Sequence, residues 1–209
     1  MSRRGRTPGA IAASIPALSG PPMWQEILRH YDQTHSGDAV EEIAWFQEQP
    51  SLRQAIETAA RAIKKDRKRY DHQCRVWRSA IPQAIAALLA LEDRIARVES
   101  FDELLRLITE QLRDIPGIGE LYYYDTAFRI GVYLGVYPTR VYLHAGTRVG
   151  ARKLQPPVDH RKDALDIGEL PPDLRARPPY TIENILCIYA DRLGGNSDDT
   201  LRPRRRKRC

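Results

Sequence analysis

The chain has 209 residues, 42% hydrophobic and 29% charged, with a formal net charge of +6, an ordinary composition for one sizeable globular domain or two small ones. No apolar run approaches the roughly 20 residues that span a bilayer, so no membrane partner is expected; three scattered cysteines, Cys74, Cys187 and Cys209, are too few for a disulfide framework or a four-cysteine cluster and point to the cytoplasm. The positive charge is concentrated in two arms: Arg3, Arg4 and Arg6, with the six basic residues from Arg202 to Arg208, make nine of the 33 Lys and Arg, and removing them leaves 24 against 27 Asp and Glu.

Residues 1 to 21 are rich in Pro, Gly, Ser and Ala without periodicity and read as a disordered basic tail. Arg3-Arg4 loosely resembles a twin-arginine signal, but the following apolar run is short and broken by Pro16. Helical patterning starts near Pro22, with Trp24, Ile27, Leu28 and Tyr31 on one face. Ser36-Gly37-Asp38 predicts a break and an N-cap for a helix over Ala39 to Gln49, and Pro50-Ser51 resets the pattern. From Leu52 to Ile81 there is no glycine or proline, which predicts one long helix or two with a kink. Its middle, Arg61 to Arg78, holds Arg61, Lys64, Lys65, Arg67, Lys68, Arg69, Arg75 and Arg78 against only Asp66 and Asp71. That run is either a phosphate-contacting surface or a solvated face, with Ile63, Tyr70, Cys74 and Trp77 expected to pack.

Pro82 can occupy the first turn of the next predicted helix, whose Ile85, Leu88, Leu89, Leu91, Ile95 and Val98 form a buried centre. Ser100-Phe101-Asp102-Glu103 has the form of a capping box, opening a helix with Leu104, Leu105, Ile108 and Leu112 inward. It breaks at Pro116, turns on Gly117-Ile118-Gly119, and resumes to Gly135, the pattern of a helix-hairpin-helix. Glycines at 117 and 119 permit positive φ or close approach to another surface, and Ile118 is expected in the seam between the helices. The helix after Gly119 presents free N–H groups from Glu120 onward to an anion, a contact that positions a protein on nucleic acid without reading bases. Pro138 to Gly146 predicts a short helix or extended turn, and Thr147 to Leu154 a helix bringing Arg148, Arg152 and Lys153 toward the hairpin. Residues 155 to 180 are loop-like, Thr181 is expected to cap a last helix over Ile182 to Leu193, and 196 to 209 form a second disordered basic tail. The prediction is a single all-α domain over 22 to 195, a multi-helix bundle around the hairpin.

The residues Ile-Pro-Gly-Ile-Gly at 115 to 119, with Thr126-Ala127, Pro138 and Arg148-Val149, resemble the hairpin region of the helix-hairpin-helix DNA glycosylase superfamily over about residues 112 to 154. The resemblance implies a helical fold and backbone contact to nucleic acid through Gly117, Ile118, Gly119, Glu120, Thr126, Arg148, Arg152 and Lys153, with DNA expected before RNA. It does not extend to the chemistry. The segment before Thr126 is about four residues longer than the family pattern; the position of the family's catalytic acid falls on Leu143, beside His144; that of its lysine nucleophile falls on Asp125; and the iron–sulfur cysteines are missing. No catalytic residue, cofactor or metal is therefore expected. His72 and Cys74, two apart on a helix, do not make a metal site, Cys187 reads as a small buried hydrophobe, and the tyrosines around the hairpin read first as packing groups.

The sequence therefore predicts a nucleic-acid-binding protein, for duplex DNA at low sequence specificity, with strong salt dependence. A divergent base-excision enzyme using His144 or Asp125 is the second reading, and a protein-binding bundle with a structural hairpin the third.

Overall fold

A computed structural model describes residues 21–193. The tails expected at 1–21 and 196–209 lie outside the described residues, except that Pro21 opens the first helix. The architecture is the predicted all-α one: α1 (Pro21–Thr34), α2 (Ser36–Gln47), α3 (Leu52–Arg61), α4 (Ala80–Leu89), α5 (Glu92–Ile95), α6 (Phe101–Leu112), α7 (Glu120–Leu134), α8 (Ala145–Ala151) and α9 (Pro179–Ile188). Two two-residue strands, β1 (Val141–Tyr142) and β2 (Ala164–Leu165), pair antiparallel with Val141 opposite Leu165 and Tyr142 opposite Ala164.

Local chemistry sets most of these boundaries. Ser51 Oγ accepts from Gln54 N at 3.2 Å and caps α3, and Ser100 Oγ accepts from Glu103 N at 3.2 Å and caps α6. Glu103 reaches back one residue further than a capping box requires, accepting from Glu99 N at 3.1 Å. α2 starts at Ser36, ahead of the expected Ala39, because Ser36 Oγ donates to Asp32 O at 2.6 Å and carries the chain almost directly out of α1. The segment from Pro138 to Gly146 is extended and then helical, so α8 begins at Ala145. α9 begins at Pro179 behind Pro178, and Thr181 lies inside its first turn with its side chain buried, where it cannot be the cap.

The largest correction concerns residues 62–79, where no long helix forms. α3 ends at Ala62, which takes a left-handed conformation (φ 52°). The chain then doubles back: Ile63 bridges Arg69, Lys64 N donates to Lys68 O at 2.8 Å, and Tyr70 N donates to Ala62 O at 3.0 Å. The physical reason lies in the sequence 64–69, where five of six residues are cations that would repel one another on a helix. Asp66 instead accepts from Lys68 N at 3.0 Å, stabilising a turn with Arg67 at φ 64°. Trp77, expected to pack, is 59% exposed.

Two apolar clusters make the core. The first joins α2 through α7 around Phe46, Ile56, Leu88, Leu104, Ile108 and Ile130. The second joins α1, α8, α9 and the segments after β2 around Trp24, Ile27, Leu154, Ile182 and Leu186. β1 lies between them, and its alternation shows why: Val141 and Leu143 enter the second cluster, whereas Tyr142 enters the first. α7 is the central helix of the first cluster, packed on α2, α3 and α6, and Tyr122 fixes it to α3 by donating to Ala60 O at 2.5 Å. No helix among the described residues is long and apolar enough to cross a membrane.

Candidate nucleic-acid interface

α6 and α7 pack against each other and are joined by residues 113–119. Within that turn the glycines differ. Gly117 has φ 84°, and a Cβ there would stand 2.5 Å from Trp77 Cγ, so only glycine fits. Gly119 has an ordinary extended φ of −142°, and a Cβ added there would meet nothing within 4 Å, so its lack of a side chain is not a structural requirement. Ile118 is half-buried against the first cluster, as its place between the glycines predicts. Gly119 caps α7 without a side-chain hydrogen bond, and Glu120 follows as the first helical residue, its carboxylate already at the positive end of the helix dipole.

The remaining residues expected to contact nucleic acid divide sharply. Arg148 does come to the start of α7, standing 3.8 Å from Glu120, but its guanidinium donates to His160 O at 2.7 Å and Lys162 O at 2.9 Å and ties down the loop before β2. Thr126 is fully buried in α7 and has no surface with which to touch a partner. Arg152 is exposed and Lys153 half-exposed at the end of α8.

A more concentrated set of cations is carried by residues 61–78, whose Trp77 lies against Gly117 of the turn. One hollow of about 620 Å³ is lined by Trp45, Thr58, Arg61, Ile63, Lys65 and Arg67 among others. A second of about 440 Å³ is lined by Ile63, Arg67, Arg69, Cys74, Val76 and Arg78. Ile63 and Arg67 belong to both, so the two adjoin. Arg69 braces the lobe by donating to Val76 O at 3.2 Å. Lys65, Arg67, Arg75 and Arg78 form no ion pair with another described residue, leaving their charges toward solvent. Trp77 connects this lobe to the α6–α7 turn by lying against Gly117.

The chain matches no protein-family model, no curated protein and no solved structure. Its own geometry therefore carries the functional argument.

The two residues considered for catalysis do not meet. Asp125 stands 2.8 Å from His72 Nε2 and accepts a hydrogen bond from Gln73. Burial opposes its charge, but His72, Arg129 and Gln73 outweigh that and hold its carboxyl down at about 2. His144 is buried beside Glu183, Nε2 to Oε1 2.5 Å, with Thr147 Oγ1 donating to the same oxygen at 3.3 Å. At that distance the carboxylate favours the charged imidazole, while Nδ1 has no hydrogen-bond partner among the described residues. Burial depresses the His144 pKa, yet the Glu183 carboxylate reverses this and raises it above 6.5. Among the described residues no group of three His, Cys, Asp or Glu side chains is arranged to hold a metal.

The buried Glu183 and Arg129, and the half-buried Glu42, belong to no sequence motif. Their signal is a lone charge on an apolar face: Glu183 between Ile182 and Ile185, Arg129 between Phe128 and Ile130. Cys187, expected to be buried, is exposed on α9 beside Gly146. The tyrosines do pack: Tyr122 and Tyr124 are buried and Tyr124 lies 5.0 Å from the His144 ring.

The His144 pair gives a pH dependence whose sign follows from its raised pKa. Its contribution to stability is complete below the unfolded value of 6.5 and is lost as pH rises through the folded value. Urea unfolding should therefore show the midpoint falling as pH rises above the unfolded value of 6.5, and His144→Gln should flatten that part of the profile. An equal fall in the variant would assign it to other groups.

Proposed function

We propose that this protein binds nucleic acid, duplex DNA before RNA, through phosphate contacts made by its folded domain and with little sequence preference. One observation carries the reading: Arg61, Lys65, Arg67, Arg69 and Arg78 converge on two adjoining hollows, with Lys65, Arg67 and Arg78 unpaired among the described residues. Clustered cations on a folded surface release counterions when phosphates replace them, which supplies affinity without reading bases. The α6–α7 turn beside Trp77 extends this surface, its exposed Gly117 and Gly119 permitting close approach of a backbone. Arg152 and Lys153 are exposed or half-exposed cations at the end of α8, and Arg148 acts by holding the loop before β2.

The other readings draw less support. Asp125 and His144 are engaged with separate partners, His72 and Glu183, so the base-excision alternative does not gain the Asp125–His144 pair it called for. A protein-binding bundle would favour an acidic or apolar face, and the segment beside the turn is basic.

The test is fluorescence anisotropy with a labelled duplex. Lys65→Glu with Arg67→Glu, both exposed, should leave the thermal midpoint unchanged and weaken binding by on the order of a hundredfold, as two attractive contacts become repulsive. Gly119→Glu, which meets no neighbour, reads the contribution of the turn separately. Wild-type binding unaffected by the lobe substitutions would move the activity to the arms and end this reading.

A further inference from the structure

Three tryptophans are present, and they are placed differently. Trp24 is 4% exposed in the second cluster, Trp45 packs against the first beside Phe46, and Trp77 is 59% exposed. Its position is nonetheless fixed. Gly117, at φ 84°, lies against its Cβ, Cγ and Cδ2 atoms, and Ala80 N donates to its carbonyl at 3.0 Å as α4 begins. Arg75 and Arg78 flank it, both exposed and without an ion pair to another described residue, and Arg78 lines the second hollow. An indole held at its base, open over most of its surface and set among such cations has the two properties that single-stranded nucleic acid uses: a π face for a base and charges for the phosphates on either side.

We propose that Trp77 is a stacking platform for an unpaired base, and that the preferred ligand is duplex carrying a short single-stranded extension. The duplex phosphates lie along the cations of 61–69, and the first unpaired base covers the indole. Base pairs inside a duplex cannot supply this contact, because both of their faces are already stacked; a blunt end offers only the outer face of its last pair, held rigidly at the helix end. The inference rests on the phosphate-binding reading above and adds the form of the ligand to it.

The experiment compares a blunt duplex with the same duplex extended by a short thymidine overhang, using the full chain, Trp77→Phe and Trp77→Leu. The wild type should bind the overhang duplex about tenfold more tightly than the blunt one. Trp77→Leu should lose that preference while keeping its blunt-duplex affinity, and Trp77→Phe should restore most of it. Stacking should also quench the exposed tryptophan emission on addition of the overhang duplex, a signal missing in Trp77→Phe. Equal affinity of the wild type for the two duplexes overturns the proposal, as does an overhang preference that survives in Trp77→Leu. Failure of the wild type to bind either duplex would instead overturn the phosphate-binding reading beneath it. A thermal melt of each variant reports whether Trp77 serves the turn alone: a drop in midpoint with no change in overhang preference assigns it that structural role and rejects the stacking one.

Discussion

Gly150→Ala is expected to cost about 3 kcal/mol of stability, near the upper end of what overpacking does. Gly150 is buried on α8 where that helix crosses α9. A Cβ there would stand 2.1 Å from the Leu186 carbonyl oxygen and 2.8 Å from its carbon. Both are backbone atoms in the last turn of α9, so no side-chain rotation relieves the overlap and the two helices must separate. Separation opens the second cluster at Ile182 and Leu186 and pulls Glu183 from His144. For a chain of this size the loss corresponds to a fall in melting temperature of about 6 to 12 °C. Gly168→Ala, with nothing within 4 Å of the added methyl, is the matched control and should melt close to the wild type. Identical midpoints for both variants would mean that α8 and α9 do not approach as described.

Glu42→Ala should be comparably damaging, at about 3 kcal/mol, because it leaves a buried cation without its partner. The Arg129 side chain is 2% exposed, its Nε stands 2.7 Å from Glu42 Oε1, and its guanidinium lies 3.8 Å from the centre of the Tyr70 ring. Burial disfavours the charge, but Glu42, Asp125 and Tyr70 more than offset this and raise its pKa. With Glu42 gone, the ring and Asp125 are insufficient, and one guanidinium nitrogen already has no hydrogen-bond partner among the described residues. Replacing both residues, Glu42→Leu with Arg129→Met, should recover most of the loss, since an apolar pair has no desolvation penalty to offset. Urea unfolding of the single and double variants checks this; a single-variant loss below about 0.5 kcal/mol would assign the stabilisation of Arg129 elsewhere.

These two expectations depend on contacts that the sequence could not reveal. Glu42 and Arg129 are 87 positions apart, and His72 and Asp125 are 53 apart. No local rule links such residues, although a charge inside an apolar helix face does signal that a partner exists. Local features were legible where their chemistry is local: the Ser100 cap, the half-buried Ile118, and the positive φ of Gly117. The failure at 62–79 is also physical. Absence of glycine and proline predicts a helix only when the residues present favour one, and a run of like charges with a left-handed Ala62 and Arg67 does not. The expected helix concealed the basic lobe, because on a helix the cations of 61–78 would spread around several faces, whereas the doubled-back chain gathers them about two hollows. Of the candidate contact residues, Gly117, Gly119, Arg152 and Lys153 lie at the surface, while Thr126 is interior and Arg148 is committed to carbonyl oxygens.

The central claim is that the folded domain, and not the basic arms alone, contacts phosphate. The most direct measurement is the salt dependence of duplex binding by the full chain and by Arg67→Ala with Arg78→Ala, both arms intact. If both arginines contact phosphate, the slope of log affinity against log salt should become shallower by about two, with no change in sequence preference. An unchanged slope and affinity would contradict the account, assigning the binding to the arms and leaving the basic lobe as a solvated surface.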